Sequence, residues 1–471
     1  MQPRPKTIQR LAGAVFATLY LAGCASSAIS PETRDLALPE QWQQAEASQS
    51  ADPTAQWLSE LASPDLESLV AEAQAGNYQL ALSRARAAEL KAAVTSTGAP
   101  LWPALTLSVD GGRDGLESEQ SADLVTESWR GSLGISWELD IWGKLSDRQR
   151  QAELNYHSSL ADLRSQQLQL AADVATGWFN AIANARLEAL LEQRLANVST
   201  DLARLEQGYR RGLNAALDVY LSRNTVADSR ANLAQQQQSL LESRTALQRS
   251  LARYPDGDLA AAGLELPELV PVTAAGTPAQ LLERRPDVQQ AWLDLLAADA
   301  GLAAAHKDRF PSFSLVGSAG GTSGALHGLL DAGLTSWSIS AGLTQPLFEG
   351  GRLKSLEEQA RARVSQAEQA YLDAVFNAMA EVENLLGAEQ NLRTQLAAQR
   401  ESRRNADIAY ELSLQQYQRG LVDYTTVLES QRRAFDAQTA AIQSHAQAIV
   451  NRITLYRALG GNFALPEPTT T

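Results

Sequence analysis

The sequence predicts a mainly α-helical chain with a membrane β-barrel segment of four strands, built as two copies of one unit. Three observations carry that fold class. From Arg352 to Arg419 there is no proline and a single glycine, Gly387, in 68 residues rich in Ala, Leu, Glu, Gln and Arg. Such a composition propagates a helix about 100 Å long at about 1.5 Å per residue, more than a globular domain uses. The second observation is repetition. A constant offset of 208 relates Trp129 to Trp337, Gly134 to Gly342, Leu139 to Leu347, Gly143 to Gly351, Pro103 to Pro311, Tyr209 to Tyr417, Gly212 to Gly420, Val219 to Val427, Ser222 to Ser430, Arg249 to Arg457 and Leu251 to Leu459. Ungapped agreement of this kind marks an internal duplication of about Asn77–Ala252 onto Arg285–Gly460. The third is period-two alternation ahead of each long helix: Ile339, Ala341 and Leu343 alternate with Ser338, Ser340, Gly342 and Thr344, as on a sheet whose faces meet different surroundings.

At the start of the chain, Arg4, Lys6 and Arg10 precede the apolar run Leu11 to Leu21, and Leu21-Ala22-Gly23-Cys24 follows. That order is a secretory signal ending in a lipobox, in which small residues admit the peptidase and the thiol carries the lipid. Residues 1–23 are expected to be signal peptide and Cys24 to carry diacylglycerol and palmitate. Cys24 is the only cysteine, so an internal disulfide is excluded, and a buried core cysteine is the weaker alternative. An Asp after the lipidated Cys usually marks inner-membrane retention; Ala25 favours the outer membrane. Residues 24–64, rich in Ser, Ala, Gln and Pro without periodicity, form a leader that is loosely packed or ordered on assembly.

The first repeat is expected over residues 65–252. Leu66 to Ser96 reads as one helix ended by Gly98-Ala99-Pro100, and Leu105, Leu107 and Val109 then alternate with Thr106, Ser108 and Asp110. A Gly/Asp/Glu/Ser loop is expected over Gly111–Ser128, before Leu133, Ile135, Trp137 and Leu139 alternate with Ser132, Gly134, Ser136 and Glu138. This hairpin covers about 103–140. A proline- and glycine-broken linker occupies 253–277, the second repeat 278–460 with its hairpin at about 311–346 and a loop over Gly317–Ser336, and a tail 461–471. Strands of about 9 to 11 residues match a tilted bilayer crossing. Four strands do not close in lipid, where open edges leave backbone groups unsatisfied, so the sheet is shared between copies. A soluble sheet lying on helices is the alternative that alternation alone leaves open.

After each hairpin comes a long helix, Lys144–Gln207 and Arg352–Arg419, closed by a glycine, Gly212 or Gly420, suited to a left-handed terminal residue. The returning helices, Leu217–Arg253 and Thr425–Leu459, are too short to span their partners. Stacking each end to end with the short helix before the hairpin makes up the length.

A formal net charge of −14 argues against nucleic acid, which needs a basic surplus. His157, His306, His327 and His445 are scattered without metal-ligand spacing, Gly317–Gly328 lacks a following Lys-Ser or Lys-Thr, and no Gly-x-Ser-x-Gly elbow occurs, so no catalytic constellation is visible. The pairs Arg210-Arg211 and Arg432-Arg433 read as interhelical salt-bridge partners.

Glu283-Arg284-Arg285-Pro286-Asp287-Val288, Arg309-Phe310-Pro311-Ser312-Phe313-Ser314, Pro346-Leu347-Phe348-Glu349-Gly350-Gly351-Arg352 and the turn Tyr417–Glu429 closely resemble the TolC-like outer membrane factor family, in its lipoprotein, multidrug-efflux branch. The resemblance covers essentially everything after Cys24. It implies a homotrimer with a twelve-stranded barrel continuous with a periplasmic α-helical tunnel, acting as a passive exit duct for drugs and other small molecules. It also implies a periplasmic adaptor and an inner-membrane pump of the RND or ABC type as partners. Carried over by position, the tips lie at about 208–218 and 416–429. Asp218, Asp423 and Glu429 are then candidate gate residues, and Gly212, Leu213, Gly420, Leu421 and Val422 candidate adaptor contacts. The chain departs from the family pattern at Thr426, where an Asp is expected. For each single carboxylate, a solvated place beside a helix N-terminus is an equally good reading. A duct for protein export shares the fold, and a non-conducting coiled-coil scaffold is disfavoured by the alternating strands.

Overall fold

The computed structural model describes residues 39–44, 61, 64–116, 124–259, 264–272, 275–332 and 336–461. The signal peptide, Cys24 and the tail beyond residue 461 lie outside the described residues. Two compact units emerge among the described residues, one within 85–160 and 290–373, the other within 39–84, 161–289 and 374–461.

The first unit contains the sheet. Strands β1 (Ala104–Leu116), β2 (Leu124–Leu139), β3 (Ser312–Ser323) and β4 (Ser336–Thr344) form an antiparallel sheet in the order β1-β2-β3-β4. Register puts Leu105 opposite Ile135, Leu107 opposite Leu133, Trp137 opposite Leu315 and Leu315 opposite Ala341. One face therefore carries most of the apolar residues, Leu105, Leu107, Leu133, Ile135, Leu315, Ile339 and Leu343 among them, while Leu116, Leu124 and Val316 fall on the other. That other face gathers Thr106, Ser108, Ser132, Ser136, Ser314, Ser318, Ser338 and Ser340. Neither face is a core in the isolated chain: Leu107 is 73% exposed and Ile339 72%.

The first expected loop is largely strand, and the second is part strand and part helix. β1 continues through Gly111–Leu116 and β2 begins at Leu124, with Arg113 opposite Glu127 in the ladder and 3.5 Å from it. In the second hairpin β3 runs on to Ser323, and a short helix α7 (Leu326–Ala332) fills the connection. A ladder is made of backbone hydrogen bonds, so polar composition does not end it. Gly111 has a packing reason, because a Cβ there would fall 2.6 Å from the Trp129 ring that lies across it.

The long helices are as expected: α3 (Lys144–Arg210) and α8 (Arg352–Gln418), each followed by a returning helix, α4 (Ala216–Ser250) or α9 (Tyr424–Ala458). Asp140 starts α3 by accepting from the amides of Leu145 and Ser146 at 2.9 and 2.8 Å and from the Ser146 hydroxyl. Burial pushes the Asp140 carboxyl up, but these bonds outweigh it and hold the group below its ordinary value.

The expected helix Leu66–Ser96 is two helices, α1 (Pro64–Gly76) and α2 (Tyr78–Gly98). Asn77 divides them, its side-chain oxygen accepting from the amides of Gln79 and Leu80 as an N-cap does. Its amide nitrogen donates to the carbonyl of Ser250, the last residue of α4. The expected end-to-end stacking is thus real, and the second repeat makes it again 208 residues on. Arg285 stands between α5 (Pro278–Arg284) and α6 (Pro286–Lys307) and donates to the carbonyl of Ala458, the last residue of α9. Arg285 also pairs with Asp287 at 2.9 Å and Glu381 at 2.6 Å while almost fully buried.

The core of the second unit forms where these helices converge, from Leu66, Val174, Phe179, Ile182, Leu247, Ile449 and Ile453, all essentially inaccessible. Among the described residues no helix is long and apolar enough to cross a membrane.

The two junctions differ in chemistry, and so does the expected cost of removing each. Arg285→Ala leaves the Ala458 carbonyl without its donor and half-buried Glu381 with Arg457 alone, and should cost about 2 to 4 kcal/mol. Asn77→Ala removes a cap and one hydrogen bond, about 1 to 2 kcal/mol. Thermal melting followed by helical circular dichroism should place R285A well below N77A, and equal melting points would contradict the assignment.

Candidate functional site

The two tips where long helices turn back are one motif built twice. At the end of α3, Leu213 N donates to Gly208 O and Gly212 N to Tyr209 O; at the end of α8, Leu421 N donates to Gln416 O and Gly420 N to Tyr417 O, all at 2.9 to 3.0 Å. This six-to-one and five-to-two pair is a Schellman closure. It needs a left-handed residue, and Gly212 and Gly420 have φ of 77° and 74° with open space where a Cβ would sit. The turns leave Leu213 and Leu421 exposed, 75% and 69%, with Val422 half-buried behind them. Neighbouring Leu217 and Tyr220 extend the apolar surface.

The three acidic candidates occupy different settings. Asp423 is the residue before α9, exposed, its carboxylate making no capping bond. Asp218 lies half-buried in the first turn of α4. Burial raises the Tyr417 phenol above its ordinary pKa, and the Asp218 charge nearby adds to the rise. Glu429 is exposed and engaged: Arg433 Nε donates to it at 2.8 Å and Arg432 chelates both oxygens at 2.9 and 3.0 Å. Those bonds, Arg433's first, hold Glu429 below its ordinary pKa. The pairs lie within α9, and Arg432 also reaches Asp436 on the same helix. The Arg432-Arg433 pair is therefore intrahelical, not interhelical as its sequence suggested, because spacings of three and four residues put partners on one helix face.

Sequence reasoning missed the interior of the tip. Leu205, Tyr424 and Val427 are buried together against Tyr410, Leu414, Tyr417 and Leu428. Gln431 donates to the Tyr410 hydroxyl at 3.0 Å, and the Ser413 and Ser430 hydroxyls are 2.6 Å apart. Burial pushes the Tyr424 phenol up to about 12, only partly offset by its hydrogen bond with Ser222. Asp201 lies among these groups. Burial raises its carboxyl above the ordinary value, and Arg204, 3.6 Å away, offsets part of the rise. No local motif marks Asp201, because its neighbours Tyr410 and Tyr424 come from the other repeat.

A sheet with one apolar and one Ser/Thr face, feeding uninterrupted helices that turn at paired glycine closures, is the protomer of an outer-membrane channel. Residues 69–253 and again 277–461 match the family described as outer membrane efflux protein, the second match starting and ending 208 residues after the first. The chain belongs to that family. It is 30% identical over 460 residues to the pyoverdine export outer membrane protein OpmQ of Pseudomonas aeruginosa, covering 95% of this chain and 96% of that one. It is 29% identical over 457 residues to the toluene efflux pump outer membrane protein TtgC of Pseudomonas putida, covering 95% and 94%. Its fold superposes on the open-state MtrE outer membrane channel of Neisseria gonorrhoeae with a TM-score of 0.78 at 25% identity, covering 90% of this chain and 96% of that one.

The raised carboxyl of Asp201 has a definite sign. A folded-state pKa above the unfolded one means the folded tip holds the proton more tightly, so the contribution to stability is present in acid and lost as pH rises through the folded pKa. Asp201→Asn should flatten the acid limb of the pH–stability profile and stabilise the tip at pH 8, read by hydrogen exchange of residues 410–430; a profile unaltered from wild type would contradict it. Gly212→Ala and Gly420→Ala should each cost about 1 to 2 kcal/mol through the left-handed backbone, seen as faster exchange confined to the mutated turn.

Proposed function

We propose that three copies of this chain assemble into a twelve-stranded barrel and act as a passive duct, exporting small molecules delivered by an inner-membrane pump through a periplasmic adaptor. The observation that carries the assembly is the sheet: β1 and β4 are its free edges, and an apolar face crosses all four strands. In lipid each unpaired edge group costs several kcal/mol, so β1 of one copy must meet β4 of the next. Closure places the apolar face against hydrocarbon and the Ser/Thr face around a water-filled lumen.

The family's channel role and the helical hairpins support a duct that reaches the adaptor through its tips. Leu213, Leu421 and Val422, with Gly212 and Gly420 setting the turns, are the contacts for apolar adaptor residues. Asp218, Asp423 and Glu429 ring the constriction, with Asp423 the strongest candidate because its carboxylate carries no cation or cap. The names of the relatives point to pyoverdine and toluene as their cargo, and small amphiphiles and drugs are the class proposed for this chain. Cys24 anchors the leader to the outer membrane through its lipid, and the RND or ABC pump beneath sets selectivity.

Single-channel recording in a planar bilayer tests this reading. Wild-type trimer should pass small currents, and D423A combined with E429A should raise them several-fold. An unaltered conductance would move the constriction away from the tip, and no conductance from inserted trimer would overturn the duct.

A further inference from the structure

The leader carries a docking element of its own. Between residues outside the described set, residues 39–44 are held against the helical unit by three separate contacts. Trp42 is buried to 5% exposure, and its indole N–H donates to the carbonyl of Ala275 at 3.3 Å. The next two backbone amides, Gln43 and Gln44, donate to the two oxygens of one carboxylate, Glu383 of α8, at 2.8 and 3.1 Å. Successive amides converging on one anion are a main-chain recognition device: the carboxylate reads the backbone of the turn at Gln43 and Gln44 and not a side chain.

The third contact falls at the lone glycine of the long helix. Gly387 lies one turn beyond Glu383, and a Cβ placed on it would stand 3.6 Å from the Gln44 side-chain oxygen, with Cγ and Cδ of Gln44 at 3.8 and 3.9 Å. An interior glycine weakens a helix relative to alanine, and here it leaves a flat place over which the leader passes. Alanine would just fit; a larger side chain would occupy the space of Gln44. The first repeat has nothing comparable, since 208 residues earlier the matching positions are Ala175 and Phe179, both core.

We infer that Trp42–Gln44 is a plug and that Ala275, Glu383 and Gly387 are its receptor, fastening the leader to α8 and to the linker before α5. The indole supplies burial and the carboxylate fixes direction and register. With Cys24 lipidated, a reading on which only this clause rests, the 18 residues from Cys24 to Trp42 form a tether of at most about 65 Å, which bounds how far the plug lies from the lipid.

Hydrogen exchange of the purified full-length trimer, resolved at residues 39–44, tests the assignment. The amides of Gln43 and Gln44 should exchange at least tenfold slower than in the free peptide. E383A and G387W should abolish that protection while residues 449–453 exchange as in wild type. C24S should retain it, which separates the plug from the lipid. Free-peptide exchange in wild type, or protection surviving in E383A, would overturn the inference. Should a variant disturb the core, Q44C with G387C in a C24S background gives an independent readout: an intrachain disulfide on mild oxidation is expected, and its absence overturns the placement.

Discussion

The whole architecture follows from one constraint, that a backbone amide or carbonyl surrounded by hydrocarbon must find a partner inside the protein. Four strands satisfy it between β1 and β2, β2 and β3, and β3 and β4, and leave β1 and β4 each with an open row. The β4 row is not protected by the usual devices of a soluble edge. β4 carries no lysine, proline or charged residue within Ser336–Thr344 and is exposed along its whole length. An edge that plain is an adhesive surface, and a second copy of the same sheet matches it in length and apolar face. The long helices then inherit their number and arrangement from the strands, because each hairpin feeds one of them directly.

Duplication supplies the repeated plan, but the two copies are fastened by different chemistry. Around residues 171–182, α3 is held by Val174, Ala175, Phe179 and Ile182 in the apolar core. The corresponding stretch of α8 offers Glu381, Glu383 and Glu389 instead, engaging Arg285 and Arg457, the leader amides, and Arg452 with Asn451. Apolar packing is graded and insensitive to salt. Of these pairs Arg452–Glu389 is buried on both sides, and losing one partner there leaves the other desolvated without its counter-charge. The junction pair Asn77–Ser250 and Arg285–Ala458 repeats the same division, neutral in the first copy and ionic in the second.

Much of this was legible in the sequence, for identifiable reasons. Helix lengths came out within a few residues because proline-free composition propagates them and Gly212 and Gly420 stop them. The strand faces followed from alternation. The hairpin ends did not, since Gly111–Leu116 and Gly317–Ser323 look like loops by composition and extend the ladder through backbone bonds alone. Asn77 also escaped notice: a cap inside a helical pattern reads as one helix unless its side chain is seen to turn back on Leu80. The tip interior was out of reach, because it unites Leu205 of one repeat with Tyr424 and Val427 of the other.

The same division explains why the tip is better understood as a buried aromatic cluster with charges around it than as a ring of acids alone. Glu429 already has two arginines on its own helix, so its charge is largely compensated before any neighbouring copy arrives. Asp423 and Asp218 stand at helix N-termini, where the backbone dipole favours a carboxylate whether or not it faces a lumen. Asp201 adds a carboxyl whose burial raises its pKa. The burial of Leu205, Tyr424 and Val427 against Tyr410, Leu414, Tyr417 and Leu428 is what joins the hairpins there, so the tip rests on packing first and on surface charge second.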